Sequence, residues 1–454
     1  MTSVETDDPV LVVPSEMELF KKDVLDLTVQ EVDEVPCYPS TSFRSDNGDI
    51  QFVMKGSEEE YVKLSTTYMT LGVKITLGAN TNLGANHNVG VVNLLPYSIF
   101  NSISVTLNNQ LVVSNSMYAY SMDMLKKFQS KAAKECYMGL EGYAKDTAGN
   151  MDALPNAGAD DRNDGIVERT GEKFRGGNVV YYRIHLGADV FNINQLLLNS
   201  VDVKVQLTRS RPAFALMAQA PAPNAPALDY RIHIINPTIW FTKVKVFPTV
   251  GMGHAERLLS QPATYFITRF VVRSITMPQG VASATLDNVT QGQIPKRIVI
   301  GFVKNSAVEG NYQQNPYNFE NLNLTQLSVM VNGRGFPLTP FKPSYAANSL
   351  NCVREYFSLL ESTGLYHNNK GFDISLSDYP EGYCIYGFDL TNNKHGYVGA
   401  QLNKTKYGTI RIEYQLAAAP AAPNNNYMCL VFCEYDNKMM IDHDRNVFIH
   451  WMPS

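Results

Sequence analysis

The stretch YMTLGVKITL, residues 68–77, puts Met69, Leu71, Val73, Ile75 and Leu77 at every second position and Tyr68, Thr70, Gly72, Lys74 and Thr76 between them. Successive side chains of an extended backbone point to opposite faces, so a period of two gathers the five apolar groups on one face of a strand. The same alternation returns twice farther on. Val201, Val203, Val205 and Leu207 alternate with Asp202, Lys204 and Gln206, and Ile410, Ile412, Tyr414 and Leu416 alternate with Arg411, Glu413 and Gln415. These read as antiparallel strands with one buried face. Residues 297–303 and 428–432 are nearly continuous apolar runs and predict strands covered on both faces. Asn108-Asn109 and Asn332-Gly333 follow strand patterns and tolerate the positive φ of a tight hairpin.

The strand signals repeat in order. ISVTLNN (103–109) lines up with LSVMVNG (327–333), and the alternating segment 201–207 lines up with 410–416. In each half an Ala/Pro-rich loop follows, APAPNAP at 220–226 and AAPAAPN at 418–424, and then a hydrophobic strand. Alternating strands resemble one another by construction. Three colinear matches nonetheless favour two similar β-domains meeting near residue 255. Each half also carries a long connection, about 114–177 and about 337–382. Connections of that length inside a compact domain usually have a task, and in a sandwich they emerge at its ends and build a raised surface. Helical patterns are few: residues 118–136, with Met122, Leu125, Phe128 and Ala132 toward one side, a weaker one at 17–27, and a short linker helix at 253–259.

Composition narrows the function. The net charge is −5, from 38 Lys and Arg against 43 Asp and Glu, with no basic block that could condense nucleic acid by direct contact. The N-terminus shows no signal-peptide pattern and no stretch reaches the ~20 apolar residues of a spanning helix, so synthesis in the cytosol is expected. The six cysteines form no CxxC pair. Cys429 and Cys433 would share a strand face too far apart for a bridge or a shared metal, and read as small core residues. The eight histidines form no HExxH pair, and no GxSxG or phosphate-binding glycine loop occurs. Asp442-His443-Asp444 reads as a solvated turn. The segment 160–165 is a poor calcium loop, because Arg162 takes a ligand position and Gly171 stands where a bidentate Glu belongs. No catalytic, cofactor or metal residues are expected.

A family resemblance runs along nearly the whole chain. It rests on Ser15-Glu16-Met17-Glu18-Leu19-Phe20, Val92-Asn93-Leu94, Ala148-Gly149-Asn150-Met151-Asp152, Leu198-Asn199-Ser200-Val201-Asp202 and Gly292-Gln293-Ile294-Pro295. It continues through Asn315-Pro316-Tyr317-Asn318-Phe319, Asp378-Tyr379-Pro380-Glu381-Gly382-Tyr383, Tyr386-Gly387-Phe388-Asp389 and Asp444-Arg445-Asn446-Val447. In their order these strings resemble the double jelly-roll, hexon-like major capsid proteins of Maverick/Polinton elements and adintoviruses. The resemblance implies an all-β fold of two tandem eight-stranded antiparallel jelly rolls with long loops and a few short helices. It divides the chain into an N-terminal arm (1–40), a first roll (41–254) and a second roll (255–454). It further implies a homotrimeric capsomer with a pseudo-hexagonal outline, an icosahedral shell around double-stranded DNA, a minor capsid or penton partner, no sequence-specific nucleic-acid contact and residence in the virion. Within the arm, Met17, Leu19, Phe20 and Leu25 are the candidate contacts to a neighbouring capsomer, an internal protein or an internal membrane. A strap under the chain's own first roll is the alternative.

Jelly rolls also host lectins and cupin enzymes. A carbohydrate- or surface-binding β-sandwich is the competing function, disfavoured by the missing signal pattern and calcium site. A cupin would need clustered His and Glu on barrel strands, and the histidines are scattered.

Overall fold

The computed structural model describes residues 28–40, 48–78, 81–84, 87–170, 173–220, 229–346, 348–366, 371–397, 403–420 and 426–451. Sixteen main strands, with the short strands Thr81–Asn82 and Val447–Ile449 at the side of two sheets, build two pairs of facing sheets. In the first half β1 (Val29–Cys37), β2 (Ile50–Met54), β3 (Glu60–Leu77), β4 (Phe100–Leu107), β5 (Gln110–Asn115), β6 (Val180–His185), β7 (Val203–Arg209) and β8 (Tyr230–Val246) form sheets of order β1-β8-β3-β6 and β2-β7-β4-β5. The second half has β9 (Ala263–Thr276), β10 (Ser283–Gln293), β11 (Arg297–Lys304), β12 (Leu324–Val331), β13 (Arg334–Phe341), β14 (Ile385–Asp389), β15 (Tyr407–Leu416) and β16 (Tyr427–Ile441). Their order is β9-β16-β11-β14 and β10-β15-β12-β13. Both halves therefore follow one path, first-eighth-third-sixth facing second-seventh-fourth-fifth, with every pair antiparallel. This is the double jelly roll.

The matched segments occupy equivalent strands: 103–109 with 327–333 run through the fourth strand of each roll and its hairpin, and 201–207 with 410–416 reach the seventh. Met69, Leu71, Val73 and Ile75 of β3 are buried, as are Val203, Val205 and Leu207 of β7 and Ile410, Ile412, Tyr414 and Leu416 of β15. Asn108 and Asn109 (φ 42° and 67°) and Asn332 and Gly333 (φ 50° and 80°) make the two-residue hairpins. Pro237 sits inside β8, where a ladder donor is normally needed. The register with β3 shifts between Ile235 and Thr238, and Asn236 turns to φ 46°, so the proline falls in an irregularity.

The apolar runs are buried on both faces, as expected: six of the eight residues of β11 are buried, and seven consecutive residues of β16. One face meets the opposite sheet. Much of the other lies under connections between strands. Helix α5 (Val353–Ser362) lies on β14 so closely that a Cβ on Gly387 would collide with Ser362 Oγ, and a Cβ on Gly301 would collide with the Phe319 ring.

The remaining helices of more than five residues are α1 (Tyr118–Lys127), α2 (Lys131–Cys136), α3 (Asp164–Thr170) and α4 (Pro248–Leu258). The single helix expected over 118–136 is thus two. The Ser130 side chain accepts a hydrogen bond from the Ala133 amide at 3.2 Å and starts α2 afresh, leaving Ala132 exposed. The linker helix is α4, longer than 253–259. Strand β1, within the stretch read as the 1–40 arm, is the edge strand of the first sheet.

Candidate assembly surface

The long connections, between β5 and β6 and between β13 and β14, are in contact with each other and fill the same position in each roll. Helix α1 lies where the two halves meet. Its Lys127 Nζ donates to Asp123 Oδ1 and Oδ2 at 2.6 and 2.5 Å, one helical turn away, and both side chains are almost fully buried. Three second-half rings surround the ammonium: Phe319 at 5.0 Å, Tyr317 at 5.5 Å and Tyr383 at 5.9 Å from ring centroid to Nζ. A desolvated cation over ring faces contributes about 2 kcal/mol. Burial pushes the Asp123 carboxyl above the usual carboxylate range, and Lys127 pulls it back.

Around this cage the insertions are tied by further charge, buried at Lys134 and Arg169 and half-buried at Lys145. Lys134 meets Asp373, which also accepts from the Tyr143 hydroxyl, and Lys145 meets Asp378 at 2.6 Å. Asp146 is held by Arg169 at 2.7 Å, by Asn163 at 2.9 Å and by Asn315 of the second half at 3.2 Å. Tyr383 donates to the Asp146 carbonyl at 2.6 Å, and the Gly149 amide to the Glu381 carbonyl at 3.0 Å. Tyr120, Phe214 and Tyr317 meet edge to face with centroids 5.7 to 6.3 Å apart. Breaking the buried Lys134–Asp373 pair, which crosses between the insertions, leaves an uncompensated charge and makes their separation costly.

The exposed residues of the insertions have the opposite character. Tyr137 and Leu140 of the first insertion and Leu338, Leu350, Val353, Phe357 and Tyr366 around the second are exposed. Val353 and Phe357 are one turn apart on α5, and the Phe357 and Tyr366 rings meet at 5.0 Å. Exposed large apolar groups of this kind make the insertions a candidate contact surface.

Elsewhere the halves join through the turn after β16. Arg445, at φ 65°, donates from Nε to the Asn199 carbonyl at 2.9 Å and from its terminal nitrogen to Asn199 Oδ1 at 2.7 Å. Asn108 Nδ2 donates to the Arg445 carbonyl at 2.9 Å. A crevice of about 740 Å³ between the rolls is lined by His185, Asp189, Phe266, Phe270, Lys296 and Glu434. The Phe270 amide donates to buried Asp189 at 3.0 Å, and burial raises that carboxyl to about 7 against the pull of this hydrogen bond and of Arg269.

Cys429 and Cys433 are fully buried in β16, and burial pushes the Cys433 thiol up to about 12. Asp442, His443 and Asp444 are a solvated turn: Asn446 donates to Asp442 at 2.8 and 2.9 Å, and His443 meets Asp444 at 3.2 Å. Among the described residues no group of three His, Cys, Asp or Glu could hold a metal, and no helix is long and apolar enough to cross a membrane. Met17, Leu19, Phe20 and Leu25 lie outside the described residues. The buried charges went unread in the sequence. Only Asp123 and Lys127 carried a local signal, their spacing of four.

The double jelly roll is shared with solved structures at low identity. A chain of the Sputnik virophage particle superposes with a TM-score of 0.62 over 99% of this chain and 93% of its own, at 12% identity. The VP54 protein of PBCV-1 gives 0.60 over 95% and 99%, at 12% identity, and the Faustovirus major capsid protein 0.55 over 94% and 93%, at 10%. In sequence the chain is similar to a Caenorhabditis elegans protein described as uncharacterized protein F54H12.2, 24% identical over 419 residues, which are 88% of this chain and 93% of that one. No protein-family model matches.

Proposed function

We propose that this chain is a major capsid protein of a DNA virus or virus-like transposon of the Maverick/Polinton or adintovirus kind. Three copies close into a capsomer, and capsomers tile an icosahedral shell around double-stranded DNA, with a minor capsid protein at the vertices. The chain is made in the host cytosol, resides in the virion and catalyses no reaction.

The observation that carries this reading is the repetition of one strand path in two rolls of one chain. A threefold ring of such chains presents six sandwich walls of similar shape, so one gene product meets six neighbours through related surfaces. The exposed apolar groups of the insertions support it further, since such a surface loses free energy when another copy covers it. The matches from the PBCV-1 virus capsid and the Faustovirus major capsid protein, and the chain of the Sputnik virophage particle, have the same fold over nearly the whole chain.

The test is the mass of the purified protein in solution followed by electron microscopy of the same sample. A trimer of about three times 50.6 kDa with a pseudo-hexagonal outline, or shells, is expected. A strict monomer that does not assemble with other virion proteins overturns the proposal, and binding on a glycan array would then point to a carbohydrate-binding module.

A further inference from the structure

Helix α4 is exposed in a way its sequence does not sustain. Of its eleven residues only Leu258 is buried, and it carries Gly251 and Gly253, whose positions have nothing within 4 Å of a built Cβ. Each mid-helix glycine costs about 1 kcal/mol relative to alanine, and an isolated helix shorter than ~12–15 residues is marginal in water. One contact from a helix side chain outside this run is the Tyr61 hydroxyl on His254 Nδ1 at 3.0 Å. Along one face Met252, Ala255 and Leu259 follow one another at spacings of three and four, all exposed, Met252 at 64% and Leu259 at 76%. Glycines with open space beside them and an uncovered apolar stripe fit a helix meant to be approached closely.

We propose that α4 is the docking surface for residues 17–27 of the same chain, joined as an antiparallel helical pair. Three observations select this occupant. Strands β1 and β8 pair antiparallel up to Val29 opposite Val246, and the Phe247 amide donates to the Thr28 carbonyl at 3.2 Å. Thr28, which precedes β1, and Phe247, which precedes α4, therefore lie side by side at one end of the sheet. The lengths of the two segments match, since 17–27 spans the same eleven residues as α4. Met17, Phe20, Val24 and Leu27 recur at spacings of three, four and three, which predicts an apolar stripe along one helical face. Antiparallel pairing from residues 28 and 247 brings Val24 opposite Met252, Phe20 opposite Ala255 and Met17 opposite Leu259. A directly tethered partner acts at an effective concentration in the millimolar range, which favours the chain's own segment over that of another copy. The pairing does not depend on the chain's forming shells.

The experiment uses the full chain carrying Cys37→Ser and Cys136→Ser to remove the two thiols that are not buried. Phe20→Cys with Ala255→Cys is oxidised beside Leu19→Cys with Ala255→Cys, in a mixture of isotopically light and heavy protein, and the cross-linked peptides are mapped by mass spectrometry. The expected result is a cross-link within one chain for the first pair, forming about tenfold faster than for the second. In parallel, removing residues 1–27, or Met252→Glu in the full chain, is expected to speed hydrogen exchange of the 248–258 amides by about tenfold while the β11 and β16 amides keep their protection. Links between light and heavy chains would assign the surface to a second copy and overturn the proposal. Equal rates for the two pairs, or unchanged exchange in both variants, would overturn it as well.

Discussion

Lys127→Met tests the buried Asp123–Lys127 pair of α1 beneath the second-half rings. The variant keeps the length and apolar stem of the side chain and removes the ammonium from beneath Tyr317, Phe319 and Tyr383, leaving Asp123 buried with its nearest cation gone. Removing one partner of a buried pair costs about 3–5 kcal/mol, and the loss of the cation over the rings is contained in that figure. Asp123 can escape by binding a proton. Burial already raises its pKa and Lys127 is the largest opposing influence, so without Lys127 the value rises further. A carboxyl raised in the folded state favours folding at low pH, and that contribution is lost as pH rises through the folded value. The deficit of the variant is therefore largest at pH 8 and shrinks toward pH 5. The double variant Asp123→Leu with Lys127→Met removes both charges, and is expected within about 1 kcal/mol of the parent because apolar replacement of a buried pair is often neutral. Urea unfolding followed by circular dichroism at the two pH values measures all three proteins. A single-variant deficit under about 1 kcal/mol at pH 8, or one that is the same at pH 5, refutes the buried-pair account.

Asp189, raised to about 7 by burial, contributes stability that is present at pH 5 and lost as pH rises through 7. Against Asp189→Asn, the parent is expected to lose roughly 2–3 kcal/mol between pH 5 and pH 8, and a flat difference in urea midpoints would contradict this. Gly301→Ala drives a methyl into the Phe319 ring and toward Ile385 at 3.2 Å, so a loss of about 1–3 kcal/mol is expected in thermal or urea unfolding. Val353→Ser with Phe357→Ser alters two exposed residues of α5, 58% and 39% exposed, and removes the ring contact of Phe357 with Tyr366. The monomer should lose no more than about 1.5 kcal/mol while the trimer fraction in native mass spectrometry falls, and an unchanged trimer would remove this face from the assembly surface.

Strand identity was legible because it is a local property. Alternation at 69–77, 203–207 and 410–416 reports which side of the chain meets water, and each of those faces is buried largely as the pattern reads. Unbroken apolar runs likewise foretold β11 and β16, and the paired Asn and Gly residues foretold both hairpins. Order along the chain carried the doubling of the fold, since the fourth and seventh strands of each roll kept recognisable sequences. Helices were read less well. Ser130 looks like any polar residue until its side chain is seen capping α2, and α5 was missed because it buries Glu355 and Ser362 while leaving Val353 and Phe357 outside. The charged ties around the two insertions were out of reach altogether. Lys134 and Asp373, Lys145 and Asp378, and Asp146 and Asn315 lie far apart in sequence, and a charged residue looks the same whether water or a partner surrounds it. Local patterning sets which face of each strand is apolar. Only the folding of two rolls against each other decides which charges lose water together, because desolvation depends on what else arrives from elsewhere in the chain.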